Sequence, residues 1–532
     1  MDTRKYLDGE SFDGFKFFGN HKKSKNSYIF RTLGPNAKNI YIVGDFNGWK
    51  EEKLRKYSTG VFSKTINNVK EYDKYLYVIE DKNGKKSYKL DPFSKLTDEK
   101  YENSLVFDKA FEFSYKIKEN KNLNIYEINF RNFDGKIFSN EKSIDKFIFY
   151  VKENNFTHVK LMDVFTYSFS YNEKLLNLEK LKLFIDICHK NDIGIIMDLD
   201  ISSFYPSEKY LLRFDNSNMY NYDYDDILYN YDGRINLDPS KKIVKSFILS
   251  FISYLFDEFK LDGISFINLE NLIFCQGDKS RGFNHNWLDL IKIINTHIKN
   301  LNKLSLGFYN SIWNDDIDFN LGFSYIYDRT MAKIIKIMQN FPYKRYNYSN
   351  IVKNLIETDF KKFILGFNYY DSLGEGASLA MKMHSDEKKY DQLKSLFLLT
   401  YTLNSKKILF MEDEIGSLET YSFDKKIDFK AKNQNEKDFN KFYKKISKFL
   451  FDNKEFYEEN SKTQILDIEG YSLFAFKRKS KNFEYLIIIN LTDLEYKIKY
   501  LDKTKTVLTS FDENLKNKNI IPAFGSGIYR IK

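Results

Sequence analysis

LEKLKLFIDICHKND at residues 178–192, running straight into IGIIMDLDI at residues 193–201, is the stretch on which the fold turns. Apolar residues recur at helical spacing in the first half. The second half is an apolar run interrupted only by two carboxylates, so the pair predicts an amphipathic helix feeding a buried strand. The same succession repeats on both sides. NIYEINF (124–130) reads as a strand, SIDKFIFYVKENN (143–155) as a helix and THVKLMDV (157–164) as a strand. Downstream, IVKSFILSFISYLFDEF (243–259) precedes DGISFINL (262–269), NWLDLIKIINTHIKN (286–300) precedes LSLGFY (304–309), and YDQLKSLFLLTYTLN (390–404) precedes KKILFMEDE (406–414). Helix–strand alternation sustained over roughly 290 residues predicts a parallel sheet, and favours one closed as a (β/α)8 TIM-type barrel with functional residues at the C-terminal strand ends.

The flanks obey a different period. SYIFRTLG (27–34), NIYIVGDF (39–46), GVFSKTI (60–66), KYLYVIED (74–81) and KSYKLD (86–91) are short alternating runs, and DKNG at 81–84 is a hairpin turn between the last two. They predict an N-terminal immunoglobulin-like β-sandwich. After a helix near residues 439–456, the tail returns to strands: YSLFAFKR (471–478), FEYLIIINL (483–491), TVLTSF (506–511) and SGIYRI (526–531). The expected division is a leader over 1–25, a sandwich over 26–118, a barrel over 119–435 and a C-terminal antiparallel β-domain over 436–532.

Composition narrows the class. The 532 residues are 42% hydrophobic and 17% aromatic, more than a disordered chain carries. The charge of +10 comes from lysines scattered among acids, without an arginine stripe, so nucleic acid is not an expected partner. Two cysteines make no disulfide framework, and the six histidines show no ligand spacing, so no metal is expected. Leu373-Gly374-Glu375-Gly376 lacks the lysine and hydroxyl of a phosphate loop, and no cofactor is expected. No apolar run reaches the ~18–20 residues of a membrane span, and residues 1–19 have no secretory signal pattern, which predicts a cytoplasmic protein.

GPNAKNIYIVGDFNGW at 34–49, followed by LDPFS at 90–94, resembles the N-terminal carbohydrate-binding sandwich of glycogen branching enzymes and their α-amylase-superfamily relatives. The resemblance continues through IYEINF (125–130) as the family's first barrel strand, NFTHVKLMDV (155–164) as the second, FIDICHKNDIGIIMDLD (184–200) as the third with its helix, FDEFKLDGISF (256–266) as the fourth and KKILFMEDEIG (406–416) as the seventh. The C-terminal strands resemble the family's closing β-domain. The nearest subfamily by resemblance is 1,4-α-glucan branching enzyme, which implies an α-glucan, glycogen- or starch-like, as ligand.

Retaining glucan transfer needs a nucleophilic carboxylate and an acid/base carboxyl about 5–5.5 Å apart. The family sets arginine and nucleophile in D-G-[LF]-R-x-D after the fourth strand. Carried onto residues 262–267, that pattern puts Ser265 at the arginine and Ile267 at the nucleophile. The acid/base position falls on Phe308. The His-Asp pair that supports the transition state falls on Tyr369 and Tyr370, and the subsite histidine on Ser203. Asp198 is retained. The resemblance thus implies a branching-enzyme scaffold that has lost its catalytic groups together.

Two other readings stay open: an active transferase using relocated carboxylates, or a protein-interaction scaffold without sugar affinity. Asp198 and Asp200 point the same way along a strand, and Glu270, Asp371, Glu375, Asp413 and Glu414 lie near expected strand ends. Trp49 can stack on a sugar ring or cap the sandwich core, and Lys85 and Lys89 can hydrogen-bond sugar hydroxyls or stay solvated. The protein partner implied by a degenerate paralogue is a competent branching enzyme or another glycogen enzyme.

Overall fold

The computed structural model describes residues 2–117, 122–132, 138, 140–165, 168–172, 177–309, 321–373, 376–422, 426–427, 429–453, 456, 461–466, 472–479, 484–511 and 519–531. Its centre is a closed barrel of parallel strands. In chain order these are Asn124–Asn129, His158–Met162, Gly194–Leu199, Gly263–Phe266, Leu304–Phe308, Tyr325–Tyr327, Phe363–Phe367 and Lys406–Phe410, below called the first to eighth strands. The eighth returns to the first with Lys407 beside Asn124.

Inward-facing positions alternate along each strand, and Ile125, Ile196, Leu306, Ile364 and Ile408 meet at the axis as one apolar cluster. The helix Leu178–Lys190 begins where the Asn177 side chain accepts the Glu179 N–H at 2.9 Å, and buries Leu181, Ile185 and Cys188. Gly366, at φ 146°, lies where a Cβ would stand 1.9 Å from the Ile408 carbonyl oxygen, so the seventh and eighth strands close only around glycine here.

One strand assignment changes. KKILFMEDE forms the eighth strand, not the seventh, because Tyr325–Tyr327 enters as the sixth. Three residues are too few to display a period, which hides this strand in the sequence.

The N-terminal body is two sheets. One has the order Gly19–Ser24, Ser27–Leu33, Val61–Asn67, Arg55–Lys56. The other places Lys74–Glu80 between Asn39–Gly44 and Ser104–Leu105, with Lys86–Lys89 also paired to Lys74–Glu80. Residues 1–25, read as a leader, contain helices Thr3–Leu7 and Gly14–Phe17 and the first sandwich strand. This segment lies on the barrel helix Lys242–Phe259, which explains why that helix is apolar nearly all round. Gly14 permits the approach, since a Cβ there would stand 2.5 Å from Ser250 Oγ, and Ser11 N–H donates to Ser246 Oγ at 3.1 Å.

The sandwich is joined to the barrel by backbone pairing. Tyr171–Asn172, from the loop after the second barrel strand, runs parallel to Leu96–Thr97 at the sandwich edge. At the other end, an antiparallel sheet ordered Lys462–Leu466, Leu473–Lys479, Glu484–Asn490, Ser526–Ile531, Thr504–Thr509 follows the helix Gln434–Asp452. Among the described residues no helix is long and apolar enough to cross a membrane.

Candidate functional site

At the C-terminal end of the barrel axis the side chains converge on Lys160 of the second strand. Its ammonium donates to Glu127 Oε1 of the first strand at 2.5 Å and to Asp198 Oδ2 of the third at 2.7 Å. All three side chains are nearly inaccessible, at 1%, 2% and 6% exposure. A nitrogen 2.5 Å from one carboxylate oxygen and 2.7 Å from another leaves those oxygens no more than about 5.2 Å apart. The space between them is filled by the ammonium. The backbone N–H of Tyr369 completes Glu127, donating to Oε2 at 2.6 Å.

The electrostatics follow from the charge count. Burial disfavours the charge on Lys160, yet Asp198 and Glu127 outweigh it and hold the ammonium pKa above its ordinary value. One cation neutralises only one of two carboxylates. Burial of the surplus negative charge pushes Asp198 up, with Lys160 acting in the opposite sense.

The residues that the sequence resemblance puts at catalytic positions lie near this cluster as apolar or neutral groups. Ile267 packs against the axial apolar cluster, and Ser265 is fully buried. Phe308 lies under the Lys160 ammonium, 4.6 Å from ring centroid to Nζ, and stacks on Tyr327 at 5.1 Å. The Tyr327 hydroxyl donates to Asp371 and lies 3.1 Å from the Gly366 carbonyl. Arg329 holds Asp371 Oδ1 with Nε at 2.9 Å and Nη2 at 2.5 Å. Burial raises the Asp371 carboxyl, with Arg329 opposing it. Tyr369 is half-buried and Tyr370 is exposed beside them.

The other expected carboxylates are tied into structure. Asp200 accepts from Ser202 N–H at 2.9 Å, Asn268 Nδ2 at 2.9 Å and Arg234 Nη1 at 3.3 Å, bracing the loops after the third and fourth strands. The Ser203 carbonyl accepts from Arg234 Nη2 at 3.3 Å. Asp413 accepts the Ser372 hydroxyl. Glu414 accepts the Tyr126 hydroxyl at 2.8 Å and that of Tyr150, and burial pushes it up to about 7. Glu270 is buried on the short helix after the fourth strand. Glu375 lies outside the described residues.

On the sandwich, Trp49 does not cap the core. Its indole is 42% exposed, and Nε1 donates to Asp45 Oδ1 at 3.0 Å, which fixes the ring without covering it. Lys85 is exposed at the hairpin turn. Lys89 is a correction: it is 2% exposed, and its ammonium donates to the carbonyls of Leu212, at 2.7 Å, and Glu208. It fastens the sandwich to the barrel and is closed to a sugar. Burial lowers its pKa to about 8.

Sequence reasoning passed over two side chains on the sandwich's outer face: Tyr88, 52% exposed, and Tyr41, whose ring lies 4.9 Å under the Lys86 ammonium. It also passed over Glu127 and Lys160. Their signal was available, since an ionic residue at an inward position of an otherwise apolar strand requires a partner.

Residues 17–94 match the family described as carbohydrate-binding module 48 (isoamylase N-terminal domain). The chain is 27% identical to 1,4-alpha-glucan branching enzyme GlgB 1 of Clostridium perfringens strain SM101, over 92% of this chain and 82% of that one. It is 24% identical to 1,4-alpha-glucan branching enzyme GlgB of Fusobacterium nucleatum, over 92% and 86% respectively. Among solved structures, the Anoxybacillus sp. LM18-11 pullulanase complexed with maltotetraose aligns at TM-score 0.77 and 14% identity, covering 100% of this chain and 90% of that one. The product complex of the glycogen-degrading pneumococcal virulence factor SpuA aligns at TM-score 0.76 and 15% identity, covering 100% and 72%.

Proposed function

From the premise that this chain is a branching-enzyme-like member of the α-amylase superfamily with an N-terminal carbohydrate-binding module, we propose that it binds glycogen- or starch-like α-glucan without cleaving or transferring it. The observation that carries this reading is the Lys160 ammonium wedged between Glu127 and Asp198. A retaining mechanism needs one free carboxylate facing the anomeric carbon and a second carboxyl facing the glycosidic oxygen. Here the two candidates face a cation and each other, while Ile267 and Phe308 stand where the resemblance puts the acids. Binding falls to the sandwich, where Trp49 offers an open indole face held by Asp45. Such a protein serves as a glucan-bound partner or regulator of a competent glycogen enzyme.

The deciving measurements are branching of amylose, read by iodine staining and debranched chain length, and migration in gels containing glycogen. The expected result is retardation that Trp49→Ala reduces, with no branching. Turnover comparable to a competent relative would overturn the inert barrel, and unretarded migration would leave the interaction-scaffold reading. One observation favours an active alternative: Glu127 and Asp198 are two carboxylates drawn to one cation, their oxygens no more than about 5.2 Å apart. That reading requires Lys160 to withdraw, and predicts a measurable rate abolished by Asp198→Asn.

A further inference from the structure

Two aromatic surfaces of opposite charge lie open on this chain. The first is YDYDDILYNYD at 222–232, in the connection from the third barrel strand to the fourth. Tyr224 and Tyr231 are 71% and 81% exposed, and Tyr229 is exposed with them. The stretch holds Asp223, Asp225, Asp226 and Asp232 and no cation. Lys241 answers Asp223 at 3.2 Å, whereas Asp225, Asp226 and Asp232 make no ion pair among the described residues. Its last turn is a hairpin in which Tyr229 bridges to Ile235, and Arg234 of that hairpin donates to Asp200 Oδ2 at 3.3 Å. The rings therefore stand at the rim of the barrel mouth.

The second surface is FPYKRYNYSNIVKN at 341–354, in the connection from the sixth strand to the seventh. Phe341, Tyr343 and Tyr346 are exposed, as are Lys344 and Lys353, and the stretch contains no acid. Phe341 and Tyr343 stack at 5.7 Å, and the Lys344 ammonium lies 5.7 and 5.8 Å from their centroids. Arg345 turns the other way. It is buried, and donates to the Leu491 carbonyl at 2.8 Å and to Gln392 Oε1 at 2.5 Å, which pins the segment to the body of the protein. Rings already held in place lose little freedom on docking.

Tyrosine and phenylalanine are enriched where proteins meet, with charged groups at the rim. The charge chooses the partner. A negative field around the first set of rings attracts a positive aromatic surface, and the chain itself supplies one. Both surfaces are open in the single chain, so neither covers the other. We propose that copies of this chain associate head to tail, the 222–232 surface of one copy seated on the 341–354 surface of the next. Such a pairing leaves one surface free at each end, and grows with concentration unless its rotation closes a ring. Two short segments bury less than about 1,200 Å² in total, so each contact is weak, and its exposed charges are screened by salt.

Sedimentation of the full chain tests this. At about 50 mM salt the average mass should climb above the monomer as protein rises through the micromolar range, and return to the monomer at about 0.5 M salt. Asp225→Lys with Asp226→Lys should hold the chain at its monomer mass of 63.6 kDa, and so should Lys344→Glu with Lys353→Glu, both with unchanged unfolding midpoints. All four substitutions in one chain exchange the two charges and should restore association. The neutral changes Asp225→Asn with Asp226→Asn should weaken it by about tenfold. A monomer at every concentration in low salt overturns the proposal. So does an oligomer that either charge reversal leaves intact, or a fourfold variant that stays monomeric.

Discussion

The outer face of the sandwich and the mouth of the barrel are furnished alike, with aromatic rings beside carboxylates, but the two sets are turned in opposite directions. Around Trp49 the carboxylate serves the ring: Asp45 takes the indole N–H and leaves the face open. At the barrel mouth the ring serves the charges, with Phe308 beneath an ammonium that two carboxylates already hold. The first arrangement presents a surface and the second closes one. The lesson is that a shared scaffold carries no chemistry by itself; the direction in which each polar group spends its hydrogen bonds decides what remains for a ligand.

The strongest way to break this contrast is to remove the central cation. Lys160→Met leaves the buried Glu127 and Asp198 without a counter-charge, and we expect a loss of about 3–5 kcal/mol in barrel stability. Urea unfolding followed by Trp287, which is buried on the helix His285–Asn300, reads it directly. Glu127→Gln together with Asp198→Asn in the same chain should recover most of the loss. An unchanged midpoint in Lys160→Met would mean that the ion cluster does not hold the mouth shut.

Next in size is a pH effect at the same end of the barrel. Burial raises Glu414 from 4.5 to about 7, so the folded state keeps a proton that the unfolded chain releases. Stability from this group is full below pH about 4.5 and falls as pH rises to about 7, by about 3 kcal/mol in all. Glu414→Gln should flatten the unfolding profile across that window, and an unaltered slope would count against the protonated form.

The sandwich side gives smaller effects of a different kind. Trp49→Ala should weaken glycogen binding by about tenfold or more while leaving urea unfolding of the barrel unchanged. Lys89→Met should do the reverse. Losing its bonds to the Glu208 and Leu212 carbonyls costs about 1–2 kcal/mol of sandwich–barrel cohesion, seen in differential scanning, with glycogen retardation intact. If Lys89→Met abolished retardation and Trp49→Ala did not, the two surfaces would have been assigned the wrong way round.

Much of this architecture can be read without coordinates. The period of 178–201 announces a helix and a buried strand, and the 34–49 stretch announces the sandwich, because both depend on local pattern. Tyr325–Tyr327 escapes notice for want of length. The site is less legible. Ile267 and Phe308 stand out as departures from a motif, which says nothing of the groups that pack around them. Lys160, Glu127 and Asp198 come from three strands separated by helices, and only the parallel register of those strands, with Glu127 beside Lys160, makes them neighbours. Lys89 misleads for a related reason: it alternates with exposed residues on Lys86–Lys89, and its burial depends on a loop more than a hundred positions away, at Glu208 and Leu212.

The pairing of Tyr171–Asn172 with Leu96–Thr97 has a practical and a mechanical consequence. A carbohydrate-binding module on a tether can be cut free and studied alone, and it samples many bearings while attached. Here the edge of that module is completed by the barrel's own loop, so excising the module would uncover raw backbone donors and acceptors and invite self-association. In the intact chain, that pairing holds the sandwich to the barrel at one bearing, so the Trp49 indole turns only as the barrel turns.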